Sequence, residues 1–105
     1  FLADANGYWK LANGFIMQWG FTNAEGDGTA EVTFPIPFPT KLLTVITNPE
    51  DSGDFRTTSV DILLSFNPAI ARTKFDARVT HMVGTLFPVQ QAGAGRGFYW
   101  QALGY

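Results

Sequence analysis

Apolar and polar residues alternate along most of the chain, the period-two signature of strands with one buried face. From Glu31 to Thr40, Val32, Phe34, Ile36 and Phe38 hold the even positions, and Glu31, Thr33, Pro35, Pro37 and Pro39 hold the odd ones. Three prolines on alternate positions donate no ladder hydrogen bonds, so this segment is expected at a sheet edge or outside the sheet. There it also blocks stray pairing. The proline spacing does not fit a PxxP ligand.

Phe15, Met17, Trp19 and Phe21 share one parity in an earlier strand. Lys41 to Thr47 is apolar on both faces, which predicts a central or interface strand. Val60, Ile62, Leu64 and Phe66 alternate with Ser59, Asp61 and Ser65, and Phe75, Ala77 and Val79 alternate with Lys74, Asp76, Arg78 and Thr80. Phe98, Trp100 and Ala102 alternate with Tyr99, Gln101 and Leu103. Trp19 and Trp100 thus read as core. Turn chemistry separates the runs at Asn23–Gly28, Asn48–Asp54, Asn67-Pro68 and Ala92–Gly97. No window long enough for a helix sustains a 3.6-residue period. About six strands at this spacing predict an all-β fold, an antiparallel β-sandwich.

Composition narrows the function. With 105 residues the chain makes one domain. Seven Lys/Arg against nine Asp/Glu give a net charge of −2, with no basic footprint for nucleic acid and no polybasic patch for an anionic membrane. No apolar stretch approaches the ~20 residues of a membrane span, so membrane insertion is not expected. Without cysteine there is no disulfide, thiolate nucleophile or Cys-based zinc site, and a single His excludes a multi-His centre within one chain. No cofactor is expected. Ten Phe, three Trp and three Tyr, with only 15% charged residues, supply more apolar surface than one small core hides. Some of it is expected to meet another subunit. The chain opens on Phe1, with no charged segment leading into an apolar run, and reads as a piece of a longer protein.

Three motifs carry a family resemblance. Leu11-Ala12-Asn13-Gly14-Phe15-Ile16-Met17-Gln18-Trp19-Gly20 resembles the LPNGLIIQWG opening of a phage tail-fibre tip domain. Phe34-Pro35-Ile36-Pro37-Phe38-Pro39 resembles its FP-x-x-FP element, and Phe98 to Tyr105 its closing F-x-W-I-A-I-G-Y. Ala12 and Gln101 depart from the pattern, where the family carries Pro and an apolar residue. The family is the C-terminal domain of contractile-tail phage fibres, Mu-like and related to R-type pyocin fibre tips. The resemblance covers about Gly7 to Tyr105. It implies a closely packed or intertwined homotrimer at the distal end of a virion fibre, with residues 1–10 leading from the shaft and 11–105 forming the tip. It also implies adsorption to bacterial surface glycan, commonly lipopolysaccharide, and a dedicated fibre-assembly chaperone. A trimeric cap without a ligand is the alternative.

Glycan binding calls for an aromatic platform and planar polar groups, with Arg for phosphate or acidic sugars. Asp51, Asp54, Phe55 and Arg56 place these types within one loop, and loops on rigid scaffolds often carry binding residues. The same stretch also reads as a solvated connector with Phe55 tucked inward. Its carboxylates could form a glycosidase pair, but no motif supports that, and Asp61 and Asp76 are equally unspecific; no enzymatic activity is expected. Gly93-Ala94-Gly95-Arg96-Gly97 runs into a strand and not a helix, so it is no phosphate-cradling loop; Arg96 is a candidate anionic-sugar contact. His81 continues the parity of Phe75, Ala77 and Val79 and reads as a hydrogen-bonded structural residue. Three copies meeting on a trimer axis would make it a metal ligand, and receptor contact is the third option. Trp9 is expected against a neighbouring subunit or the shaft.

Overall fold

The structure, a computed structural model, describes residues 6–49, 58–83, 89–92 and 97–105, and at 49, 58, 81–83 and 89–92 the backbone alone. Among the described residues eight strands and one helical turn follow in order: β1 (Gly7–Lys10), β2 (Ile16–Asn23), β3 (Thr29–Thr33), β4 (Leu42–Pro49), β5 (Thr58–Leu63), α1 (Pro68–Ala71), β6 (Lys74–Val83), β7 (Val89–Ala92) and β8 (Gly97–Gly104). Every pairing is antiparallel. Sheet A has the order β1-β2-β8-β4, and sheet B the order β3-β6-β5 with β7 pairing the far end of β6. The two pack as the expected sandwich. Two of the eight strands lie beyond the period-two pattern: β7, and β1, which lies in the stretch read as leading from the shaft and pairs Gly7 with Trp19 and Lys10 with Ile16.

The core follows the alternation in most strands. Phe75, Ala77 and Val79 from β6, and Phe98, Trp100 and Ala102 from β8, are all buried. Between the sheets Phe34 stacks edge-on against Phe38 at 5.0 Å and lies 5.8 Å from Phe75, and Trp100 lies 5.7 Å from Phe34 and 5.8 Å from Phe75. Such pairs add about 0.5–1.5 kcal/mol each beyond the area they bury.

The proline-rich segment behaves as its pattern requires. β3 is an edge strand that ends at Thr33, and the chain then leaves the sheet with Phe34 and Phe38 still buried in the core. The Phe34 and Phe38 N–H groups donate to the Thr73 and Arg72 carbonyls, each at 2.9 Å; between them Pro35 and Pro37 lack N–H groups, and only Ile36 offers both a donor and an acceptor. Gln18, fully buried on β2, meets both: its Nε2 donates to the Ile36 carbonyl at 2.8 Å, and the Ile36 N–H donates to its Oε1 at 3.0 Å. A side-chain amide thus stands in for the missing ladder.

Three expectations are corrected. In β2 the inward residues are Ile16, Gln18 and Gly20, while Met17, Trp19 and Phe21 are half-buried on the outside. Trp19 is therefore not core. Register explains this: Gly20 and Gln18 sit opposite Trp100 and Ala102 of β8, whose inward face is already committed to the aromatic cluster. β4 is an edge strand, not a central one, so of its two expected roles only that of an interface strand remains open. The apolar alternation of β5 stops at Leu63, and Phe66 stands fully in solvent. There Asn67 caps α1, its Oδ1 accepting from the Ala69 N–H at 3.0 Å, and Pro68 starts the turn.

Candidate functional site

The sandwich has two unlike outer faces. On sheet A the outward positions run in register: Trp9 beside Met17 and Leu103, Trp19 beside Gln101 and Ile46, Phe21 beside Tyr99. Phe21 and Tyr99 pack their rings 4.8 Å apart. Ile46 and Tyr99 are each 56% exposed and Trp9 45%. No outward position in the paired register of this sheet carries a charge. On sheet B the outward positions include Glu31, Asp61, Lys74, Asp76 and Arg78. Glu31 lies directly opposite Asp76, and its Oε2 takes an ion pair from Lys74 Nζ at 3.2 Å. Exposed pairs of this kind contribute little. A depression of about 370 Å³ on this face is lined by Glu25, Thr29, Glu31, Leu63, Asp76 and Arg78, among others.

The candidate receptor residues Asp51, Asp54, Phe55, Arg56 and Arg96 lie outside the described residues, as does the side chain of His81, whose backbone sits in β6 opposite Thr58 and Gln91. The strand ends that bound those stretches are described, and they converge. Pro49, the last residue of β4, pairs with Phe98 at the start of β8, and Gly97 pairs with Asn23 at the end of β2. In sheet B, the first residue of β5 and the last two of β7 meet β6 at His81 and Thr80. The segments 50–57 and 93–96 therefore leave and re-enter the sandwich at one end.

The turn from β2 to β3 shares that end. The Glu25 N–H donates to the Thr29 carbonyl at 2.8 Å, the Gly28 N–H to the Glu25 carbonyl at 2.9 Å, and Gly28 adopts a φ of 82°, which favours glycine. Asp27 Oδ1 accepts from the Thr29 hydroxyl at 2.6 Å and from the Thr29 N–H at 3.0 Å. The hydroxyl, then the N–H, hold the Asp27 carboxyl below its ordinary value, with Arg78 adding a smaller attraction. The turn thus lies at the end of the sandwich where β4 finishes and β8 begins.

Sequence reasoning missed the outer face of sheet A as a unit. Its residues were assigned to the core or to separate contacts strand by strand. In β2 the strongly apolar parity, Met17, Trp19 and Phe21, is the outward one, while the inward parity holds Ile16, Gln18, Gly20 and Thr22. Among described residues one buried polar atom, Trp100 Nε1, has no hydrogen-bond partner.

Comparison with known proteins joins fold and sequence. An N-truncated R2-type pyocin tail fibre is 26% identical with a TM-score of 0.71, the match covering 99% of this chain and 36% of that one. An N-truncated R1-type pyocin tail fibre is 25% identical with a TM-score of 0.71, over 99% of this chain and 83% of that one. The C-terminal part of the P. aeruginosa R2 pyocin fibre is 28% identical with a TM-score of 0.66, over 99% and 25%. The chain thus spans about a third of the first of these structures. No curated protein matches the sequence. Residues 10–105 match the family described as tail fiber protein gp53-like, C-terminal, and the chain belongs to that family of tail-fibre C-terminal domains.

Proposed function

We propose that the chain is the receptor-binding tip of a virion tail fibre, a homotrimer at the distal end that adheres to host surface glycan, lipopolysaccharide foremost, without transforming it. The observation that carries this reading is the family match over residues 10–105, joined to likeness with pyocin tail fibres across 99% of the chain. The geometry agrees in kind. The segments 50–57 and 93–96, which between them carry Asp51, Asp54, Phe55, Arg56 and Arg96, start and finish at one end of the sandwich, a clustering that suits a binding site built from loops. Weak single sites repeated three times per fibre supply avidity. A fibre-assembly chaperone is the further partner this reading implies.

The test is binding of labelled, size-verified protein to a panel of Gram-negative cells and their purified lipopolysaccharides. Saturable binding to some strains, competed by their own glycan, is expected. Arg56→Ala and Arg96→Ala are expected to weaken it about tenfold each, as loss of a charge-assisted contact does. Absence of binding by a verified trimer, across a panel that includes the native host, would leave a structural cap.

A further inference from the structure

We infer that the corner between β5 and α1 docks on an anionic lipid surface, a contact that goes beyond glycan binding. Leu63, Leu64, Phe66 and Ile70 come from one short stretch and all are exposed, Phe66 as fully as in an extended chain. The backbone here suits a place with little water. From Asn67 to Thr73 every N–H has a partner within the stretch or beside it. Asn67 donates to Ser65 Oγ at 3.1 Å and Ala69 to Asn67 Oδ1 at 3.0 Å. Ile70 and Ala71 donate to the Asn67 carbonyl, Arg72 to that of Pro68 and Thr73 to that of Ile70. Pro68 has no N–H to satisfy. Unpaired amides oppose entry into an apolar phase, and this turn presents none.

Charge around the corner selects the partner. Leu64 and Phe66 line a depression of about 220 Å³ whose charged side chains are Lys41 and Arg72, with no carboxylate among the described residues of its lining. Arg72 uses one N–H on the Pro39 carbonyl at 2.7 Å and keeps the rest of its guanidinium donors. A neighbouring depression of about 270 Å³, with Leu63 and Ile70, adds Asp76 and Lys74, the latter paired with Glu31. Apolar side chains beside cations match the two layers of a lipid surface, acyl chains below and phosphates above. The sequence holds no polybasic run; the fold brings Lys41 and Arg72 together from separate parts of the chain. The contact is peripheral, since no described helix is long and apolar enough to cross a membrane. A protein partner fits less well: four side chains on a corner fall far short of the ~800 Å² that a stable interface buries per partner. A second copy would also set Lys41 and Arg72 against their own like charges.

The experiment is sedimentation of the whole chain with extruded vesicles of phosphatidylcholine alone and of phosphatidylcholine with phosphatidylglycerol, at about 0.1 M and about 0.5 M salt. Wild type is expected to pellet with the mixed vesicles, with an association constant on the order of 10³ M⁻¹ in lipid, below the ~10⁴ M⁻¹ of one myristoyl chain. Phe66→Ser is expected to lower it about tenfold, and Lys41→Glu or the higher salt about as much. Ile46→Ser, at an exposed apolar position on sheet A, is the control and is expected to bind like wild type. Phe66 and Lys41 are exposed, so neither change touches the core, and far-UV circular dichroism checks the fold. Wild type that stays in solution with the mixed vesicles overturns the inference, as does binding that neutral vesicles match or that Phe66→Ser retains in full. Light scattering covers the other occupant: an oligomer that Phe66→Ser reduces to a monomer assigns the corner to a second copy and overturns the inference too. Vesicle binding by protein that binds no host glycan upholds the inference and removes receptor binding alone.

Discussion

Replacing Gln18 with leucine isolates the device that holds the proline-rich segment. Both polar atoms of the buried amide are used on Ile36, at 2.8 and 3.0 Å. Leucine keeps the bulk but leaves the Ile36 N–H and carbonyl without partners. Each buried orphan costs about 1–3 kcal/mol, and because Ile36 is half-buried the lower end applies. Added apolar burial offsets part of this, so the net loss is about 1–2 kcal/mol. For a domain of this size that lowers Tm by about 5–15 °C. Gln18→Glu is the companion: it can accept from the Ile36 N–H but donates to the carbonyl only when protonated. Burial raises its folded pKa, so the stability tied to the proton is present below the unfolded value of ~4.3 and is lost as pH rises through the folded one. Guanidinium unfolding at two pH values reads both effects. Gln18→Leu within about 0.5 kcal/mol of wild type, at unchanged m, refutes the claim that the amide replaces the ladder.

Two further outcomes test the packing and the turn. Gly20→Ala places a methyl 2.7 Å from Trp100 Cε2 and Cζ2 and against Asn6 Oδ1, so it is expected to destabilise by about 1–3 kcal/mol, read by thermal unfolding; a neutral result means the indole has room to move. Asp27 has a folded pKa below its ordinary value of 3.8, so its contribution is present above that value and lost as pH falls through the folded pKa. Acid unfolding is expected to erode wild-type stability more than that of Asp27→Ala, and parallel curves would show that Thr29 gains nothing from the charge.

The fold class was legible because alternation is a local property: β6 and β8 bury the parities their sequences mark, and Pro35, Pro37 and Pro39 lead the chain out of the sheet as proline must. Asn67-Pro68 likewise announced a break, and it became the cap and first residue of α1. The family was legible from three motifs at the positions the match covers. What sequence alone could not decide is that the less apolar parity of β2, Ile16, Gln18 and Gly20, faces inward. That depends on which residues β8 sets opposite, a contact about 80 residues away in the chain, and on the unpaired polar groups of Ile36, which call a glutamine into the core. The placing of β4 at an edge, and the gathering of Trp9, Trp19, Ile46 and Tyr99 onto one uncharged face, follow from strand order. Strand order is a long-range choice: each strand's pattern states that it has a buried side, and only the assembled sheets determine what lies against it.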